Sequence, residues 1–249
     1  MDFPFFLFLA FWFHITPLSA DIGCHLSMET VMYSVLFEVQ PRQDRFADYL
    51  RLASTLKPRV DRRVDGLIDN ERFEDTRRPG WLLSHSLWRD EQAVTRWQAT
   101  VEHHAAQARG RAAILANYHV RVGNVCYDSH PPSCAAAPQA LRPGRATRAE
   151  PATSMGRWAT LTELTDSALA VDAAWREQLP SRLGLPLNNG DLLDYSVFAS
   201  IYTPGKLALL VSWASYDAAS AWRPRQLDVP APRHRTVRIM RELIEGGRA

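Results

Sequence analysis

Apolar and polar positions alternate from Val31 to Val39, with Val31, Tyr33, Val35, Phe37 and Val39 on one face, and the pattern predicts a β-strand. Pro41 ends it. Asp44 is then placed to cap a helix that carries Phe46, Tyr49, Leu50, Ala53 and Leu56 at helical spacing, with Pro58 kinking or ending it. Residues 67–73 and 81–88 read as two further strands, joined by the turn Arg77-Arg78-Pro79-Gly80. Asp90 caps a second helix through Trp97, Val101 and Ala105 toward Leu115. Alternation returns from Tyr118 to Cys126, giving a fourth strand and the order βαββαβ of a ferredoxin-like unit.

The same order follows a second time. Trp158 to Leu164 reads as a strand and Ala168 to Leu179 as a helix closed by Pro180. Leu193–Tyr202 and Leu207–Trp213 form a hairpin across Thr203-Pro204-Gly205. A short helix from Asp217 to Trp222 and a closing strand from Thr236 to Leu243 complete it. An aromatic phrase marks the duplication. Pro79-Gly80 leads to Trp88 and Trp97, and Pro204-Gly205 leads to Trp213 and Trp222. In both copies the first Trp follows Gly by eight positions and the second Trp follows the first by nine. A duplicated module can form a dimer inside one polypeptide. The boundaries predicted are an apolar N-terminal extension over 1–30, a first module over 31–126, a Pro/Ala/Arg-rich linker over 127–155, and a second, degenerate module over 156–249.

Composition narrows the partners. A net charge of +2 in 249 residues, with no basic run interleaved with aromatics, argues against a nucleic-acid partner. Phe3 to Ala20 is uncharged and apolar, yet no Lys or Arg precedes Arg42, so the positive region of a signal peptide is missing. Three readings stand for it: an extension from a start codon set too far upstream, a signal cleaved after Ala20, and a membrane anchor. A cytoplasmic protein is expected, with export or anchoring through residues 3–20 as the alternative. Cys24, Cys126 and Cys134 show no zinc spacing. They are read as free thiols, or as a Cys126–Cys134 bridge if the chain is exported.

The stretch Leu87-Trp88-Arg89-Asp90-Glu91-Gln92-Ala93 to Trp97, followed by His104 and Gln107 and closed by Tyr118-His119-Val120-Arg121-Val122, resembles the antibiotic biosynthesis monooxygenase family. The resemblance covers residues 32–126; residues 156–245 match in element order and Trp spacing. It implies an α+β fold, with two ferredoxin-like βαββαβ modules packed as an intramolecular dimeric α+β barrel, and a cleft in each module between sheet and helices. It further implies a monooxygenase acting on a small aromatic or quinol-like substrate in the first-module cleft, with no cofactor. The alternatives are a noncatalytic ligand-binding or stress-related barrel, and a haem-binding or haem-degrading protein. The haem-degrading branch uses an Asn on the first strand and a Trp followed ten residues later by a His. Trp97 matches that Trp, but Gln107 stands at the His position and residues 32–39 hold no Asn. No metal is expected.

Oxygenation without a cofactor needs an apolar cleft that binds an electron-rich ring, a base and exclusion of water. Trp97, Trp88, Tyr33 and His85 are the candidate lining residues. His104 lies seven residues beyond Trp97, two turns along one helix face, and is the candidate base. No His follows Trp222 at that spacing, so the second module reads as a structural partner whose site is lost.

Overall fold

A computed structural model of the chain describes residues 31–50, 64–102, 114–132, 157–170 and 173–245. The strands are β1 (Tyr33–Pro41), β2 (Leu67–Asp75), β3 (Leu82–Trp88), β4 (Leu115–Asp128), β5 (Trp158–Thr165), β6 (Leu192–Ser200), β7 (Lys206–Trp213) and β8 (Arg233–Glu245). Helix α1 spans Glu91–Glu102, α2 Ala173–Arg182 and α3 Tyr216–Ala221. Among the described residues no helix is long and apolar enough to cross a membrane. The apolar run 3–20 lies outside them.

The strands close into one antiparallel barrel in the order β1-β3-β2-β6-β7-β5-β8-β4. This is the intramolecular dimeric barrel expected from the duplication. The halves meet at two seams. One is the long β4–β8 ladder, running from Tyr118 opposite Glu245 to Asp128 opposite Arg235. The other joins β2 to β6 only over Phe73–Asp75 and is extended by Ile201 N–H donating to the Arg72 carbonyl and Thr76 N–H donating to that of Val197, each at 2.9 Å.

The repeated Pro-Gly phrase has a backbone cause. Gly80 and Gly205 both sit at the β2–β3 and β6–β7 turns with φ of 78° and 80°, a region that a side chain disfavours. Equivalent registers follow. Tyr33 lies opposite Trp88 on β1–β3, and Trp158 lies opposite Trp213 on β5–β7.

Strand alternation divides the side chains between two environments. Tyr33, Val35, Phe37 and Val39 pack with Tyr49, Trp88, Ala93 and Val94 on the helix side of the first half. Leu164, Leu179, Leu183, Trp213, Ala219 and Trp222 form the matching core of the second. The opposite faces turn inward, where Leu36, Phe73, Leu83, Leu161, Phe198 and Leu210 form a core shared by both halves.

Several boundaries differ from the sequence reading. Pro180 lies within α2, which runs on to Arg182. A proline there removes one N–H donor, and the buried Leu179 and Leu183 on either side keep the turn in place, with Leu183 N–H donating to Leu179 at 3.0 Å. Strand β4 continues to Asp128, and β8 begins at Arg233 and not at Thr236. The end of β4 is held by β8 at the seam, with Asp128 opposite Arg235, and the start of β8 by β5, with Glu163 opposite Arg233 and Thr162 opposite His234.

Candidate functional site

The first half brings three of the predicted residues together. Asp90 caps α1 by accepting a hydrogen bond from Ala93 N–H at 2.6 Å. The helix then carries Trp97 back over the sheet. The Trp97 ring meets Trp88 at a centroid distance of 5.5 Å and an interplanar angle of 43°. Trp88 is buried and Trp97 half-buried, so the pair has one wall in the core and one facing out. Trp88 is fixed by its own Nε1–H donating to Ser86 Oγ at 2.9 Å. Tyr33 lies opposite Trp88 and belongs to the same cluster.

The Tyr33 hydroxyl donates to Glu91 Oε2 at 3.1 Å, and Arg241 Nη2 donates to Glu91 Oε1 at 2.6 Å. Burial, with the charge and hydrogen bond of Glu91, pushes the Tyr33 phenol up to about 12, so it stays protonated at neutral pH. Arg241 belongs to β8. The second half therefore reaches across the seam to orient a carboxylate beside the first half's aromatic cluster.

His85 does not join this group. Trp88 and His85 are an odd number of residues apart on β3, so their side chains point to opposite faces. His85 is fully buried inside the barrel with Nε2 3.1 Å from Ser34 Oγ. Its expected place in the cleft is corrected by this parity. His104 and Gln107 lie outside the described residues. Glu91 and Arg241 were not among the predicted residues. Glu91 was readable as an acidic residue at a helix start, whereas Arg241 is brought near only by barrel closure.

The barrel interior also holds paired charge. Glu38 Oε1 accepts from Arg121 Nη2 at 2.6 Å and Oε2 from Arg78 Nη2 at 2.7 Å. At the equivalent place in the second half, Glu163 pairs with Arg235, and Lys206 Nζ bridges Glu163 and Glu71 at 3.1 and 3.3 Å. Burial opposes ionisation of both glutamates, but it is outweighed by Arg121, a hydrogen bond from His119, and Arg78 at Glu38, and by Arg235 and Lys206 at Glu163. Both carboxyls are held well below the usual range.

Burial, assisted by Arg235, pulls His85 down to about 4, and burial with Arg223 pulls His234 down to about 3. This fixes a pH response. Between pH 6.5 and about 4 the unfolded chain binds protons that these folded imidazoles refuse, so stability falls as pH falls through that window. Below about 4.5 the unfolded glutamates protonate while Glu38 and Glu163 stay ionised in the fold, and the loss continues in the same direction. At about 1.4 kcal/mol per tenfold change in proton affinity, the histidines remove on the order of 2–4 kcal/mol by pH 5. Urea midpoints measured from pH 8 to 4 should be level above pH 7 and fall steeply below 6.5; a flat profile to pH 5 would contradict the assignment.

The second half repeats the tryptophan pair, with Trp213 and Trp222 at 5.9 Å and 38°. It also contains a histidine that helix spacing alone does not reveal. His234 of β8 meets the Trp222 ring edge-on at 5.1 Å and 85°.

Residues 32–109 match the family described as antibiotic biosynthesis monooxygenase. The chain is 34% identical over 186 residues to a protein of Pyricularia oryzae named jasmonate monooxygenase ABM, covering 73% of this chain and 82% of that relative. An alignment of 186 residues exceeds either half, so the likeness runs through both. Among solved structures, the chain is similar to an aldoxime dehydratase (12% identity, TM-score 0.48, 84% of this chain and 81% of that one). It is also similar to a putative monooxygenase from Lactobacillus acidophilus NCFM (12%, 0.36, 87% and 97%). On the strength of the Pyricularia relative and the matched first half, the chain belongs to the antibiotic biosynthesis monooxygenase family.

Proposed function

We propose that the protein is a monooxygenase whose reaction takes place in the first half, in the cleft formed by Trp88, Trp97 and Tyr33, on a small and largely apolar ring-bearing substrate. Family membership supports a monooxygenase-like function, and the observation that supports this location is the half-exposed Trp97 stacked on Trp88 beside a Tyr33 hydroxyl held by Glu91. Aromatic walls bind a ring by area and quadrupole, and a single phenol gives it orientation. Aromatic and quinol-like compounds fit this description, and the name of the Pyricularia relative adds jasmonate to the compounds to be tried.

The proposed chemistry uses no cofactor. A base removes a proton from an acidic C–H of the substrate, and the carbanion passes its electrons to dioxygen. The resulting hydroperoxide loses water, leaving one oxygen atom in the product as a ketone and the other in water. His104 is the proposed base, since the imidazole titrates near neutrality. Tyr33 keeps its one O–H on Glu91, so its oxygen accepts a hydrogen bond from a substrate hydroxyl, and Arg241 acts through Glu91 to position it.

The test is oxygen uptake by the full chain, with product mass, over a panel of anthrones, quinols and jasmonate, with and without added haemin. His104→Ala should lower turnover by about 10²-fold. Trp97→Phe should raise KM and leave kcat nearly unchanged, because it trims contact area and removes no proton acceptor. A fully active His104→Ala variant removes the base assignment. Uptake that appears only with haemin removes the cofactor-free chemistry.

A further inference from the structure

The halves present equivalent sheet faces to their helices, and their registers allow comparison position by position. In the first half, Val35 lies opposite Val122 and Phe37 opposite Val120, four apolar residues under the helices. The equivalent positions in the second half are Thr160 opposite Thr236 and Thr162 opposite His234. All four are buried to within 1% of full enclosure.

Burying polar groups on a face that is apolar in the sister module costs free energy unless each finds a partner. Two contacts are made. Trp213 Nε1–H donates to Thr160 Oγ1 at 2.9 Å, and Thr162 Oγ1 lies 2.8 Å from His234 Nδ1. Two atoms are left over: His234 Nε2 and Thr236 Oγ1 have no hydrogen-bond partner among the described residues. Two aromatic rings flank the imidazole. Trp222 stands edge-on to His234, and the Tyr127 ring lies 6.1 Å from the imidazole at 54°. Trp222 follows α3 directly and opens a stretch to residue 232 that has neither helix nor strand. The nearest carboxylate of β4, Asp128, is committed to Arg233 at 2.7 Å and Arg235 at 3.3 Å, so it leaves no charge free for a ligand here.

We propose that the second half carries a ligand site of its own, in which Trp222 and Tyr127 hold an uncharged, ring-bearing small molecule while His234 Nε2 and the Thr236 hydroxyl bond its hydroxyl or carbonyl group. Both side chains suit either group, since a threonine hydroxyl donates and accepts and the free imidazole nitrogen does one or the other by tautomer. The Arg223 guanidinium, 4.6 Å from the centre of the Tyr127 ring, disfavours a cationic ligand, and the uncharged partners His234 and Thr236 favour a neutral one. Burial keeps His234 a neutral imidazole at pH 7. This site stands apart from the first-half cleft and does not rest on the reaction proposed there.

The experiment is isothermal titration of the full chain with 2-naphthol and with 1,4-naphthoquinone, read beside imidazole NMR signals. A His234 ring signal should move on addition of at least one of the two. The double variant His234→Val/Thr236→Val introduces the first half's residue type and should abolish that binding event. Thr236→Val alone should weaken it about tenfold, the loss of one hydrogen bond to a neutral group. If the double variant fails to fold, Thr236→Val, which deletes a single hydroxyl, carries the comparison. Trp97→Phe alters only the first cleft and should leave the His234-dependent event in place. Binding unchanged in the valine variants, or no His234-dependent binding of either compound at millimolar concentration, overturns the proposal.

Discussion

Expressed alone, residues 31–132 will not persist as a folded monomer. Within the whole chain Leu36, Phe73, Leu83 and Leu87 are fully buried on the inward face of the first sheet. Separation would return them to water, at about 1.5–3 kcal/mol for each side chain, or about 6–12 kcal/mol together. That matches the entire stability of a domain this size, about 5–15 kcal/mol. Strands β2 and β4 would also lose their partners β6 and β8 and present open edges. Sedimentation and thermal melting of the fragment should show aggregation, an unfolded chain or self-pairing along the same edges. A cooperative melt from a monomer would refute the prediction.

Replacing Arg235 by Met will destabilise the whole chain by about 3–5 kcal/mol, the cost of stranding a buried charge by removing one partner. Arg235 is completely enclosed, with Nη1 on Glu163 and Nε on Asp128 at 3.3 Å. Lys206 stays on Glu163 and Arg233 on Asp128, but Lys206 also serves Glu71, and the two carboxylates lose the one cation they share. The double variant Glu163→Gln/Arg235→Met should recover much of the loss, because the uncompensated charge is gone. Arg121→Met, at the equivalent place in the first half, should cost less, since Arg121 is bonded to the single carboxylate Glu38, which keeps Arg78, whereas Arg235 serves both Glu163 and Asp128. Urea midpoints of the three variants decide the matter. A cost below about 1 kcal/mol for Arg235→Met would show that the pair is not holding the barrel.

Much of this architecture is legible in the residues. Tyr33, Val35, Phe37 and Val39 announce a strand with one buried face, and the matched Pro-Gly and Trp positions announce the duplication. Two histidines differ in how far their placement can be read. The face on which His85 lies follows from its odd separation from Trp88, so that signal is present in the sequence. The meeting of His234 with Trp222 has no local signal, because helix spacing looks along one element and the contact runs from the end of α3 to β8. Glu38 and Arg121 show the same limit. Alternation predicts that they share the face opposite Phe37 and Val120, but only closure against the second sheet turns that face from solvent to interior. The predicted base, His104, lies beyond the described residues, and its assignment rests on helical spacing from Trp97 alone.

The fusion of two like sheets in one polypeptide changes how the protein can evolve. In a symmetric pair of identical chains every substitution appears twice, and a change useful on one side must be tolerable on the other. Here the inheritance of each half is separate. A threonine or a histidine can enter one cavity while valine and phenylalanine stay in its twin, and an arginine on one sheet can be recruited to serve the other. Joining the halves thus relaxes a constraint on sequence drift, and Trp88–Trp97 beside Trp213–Trp222 records the common ancestor from which the two have moved apart.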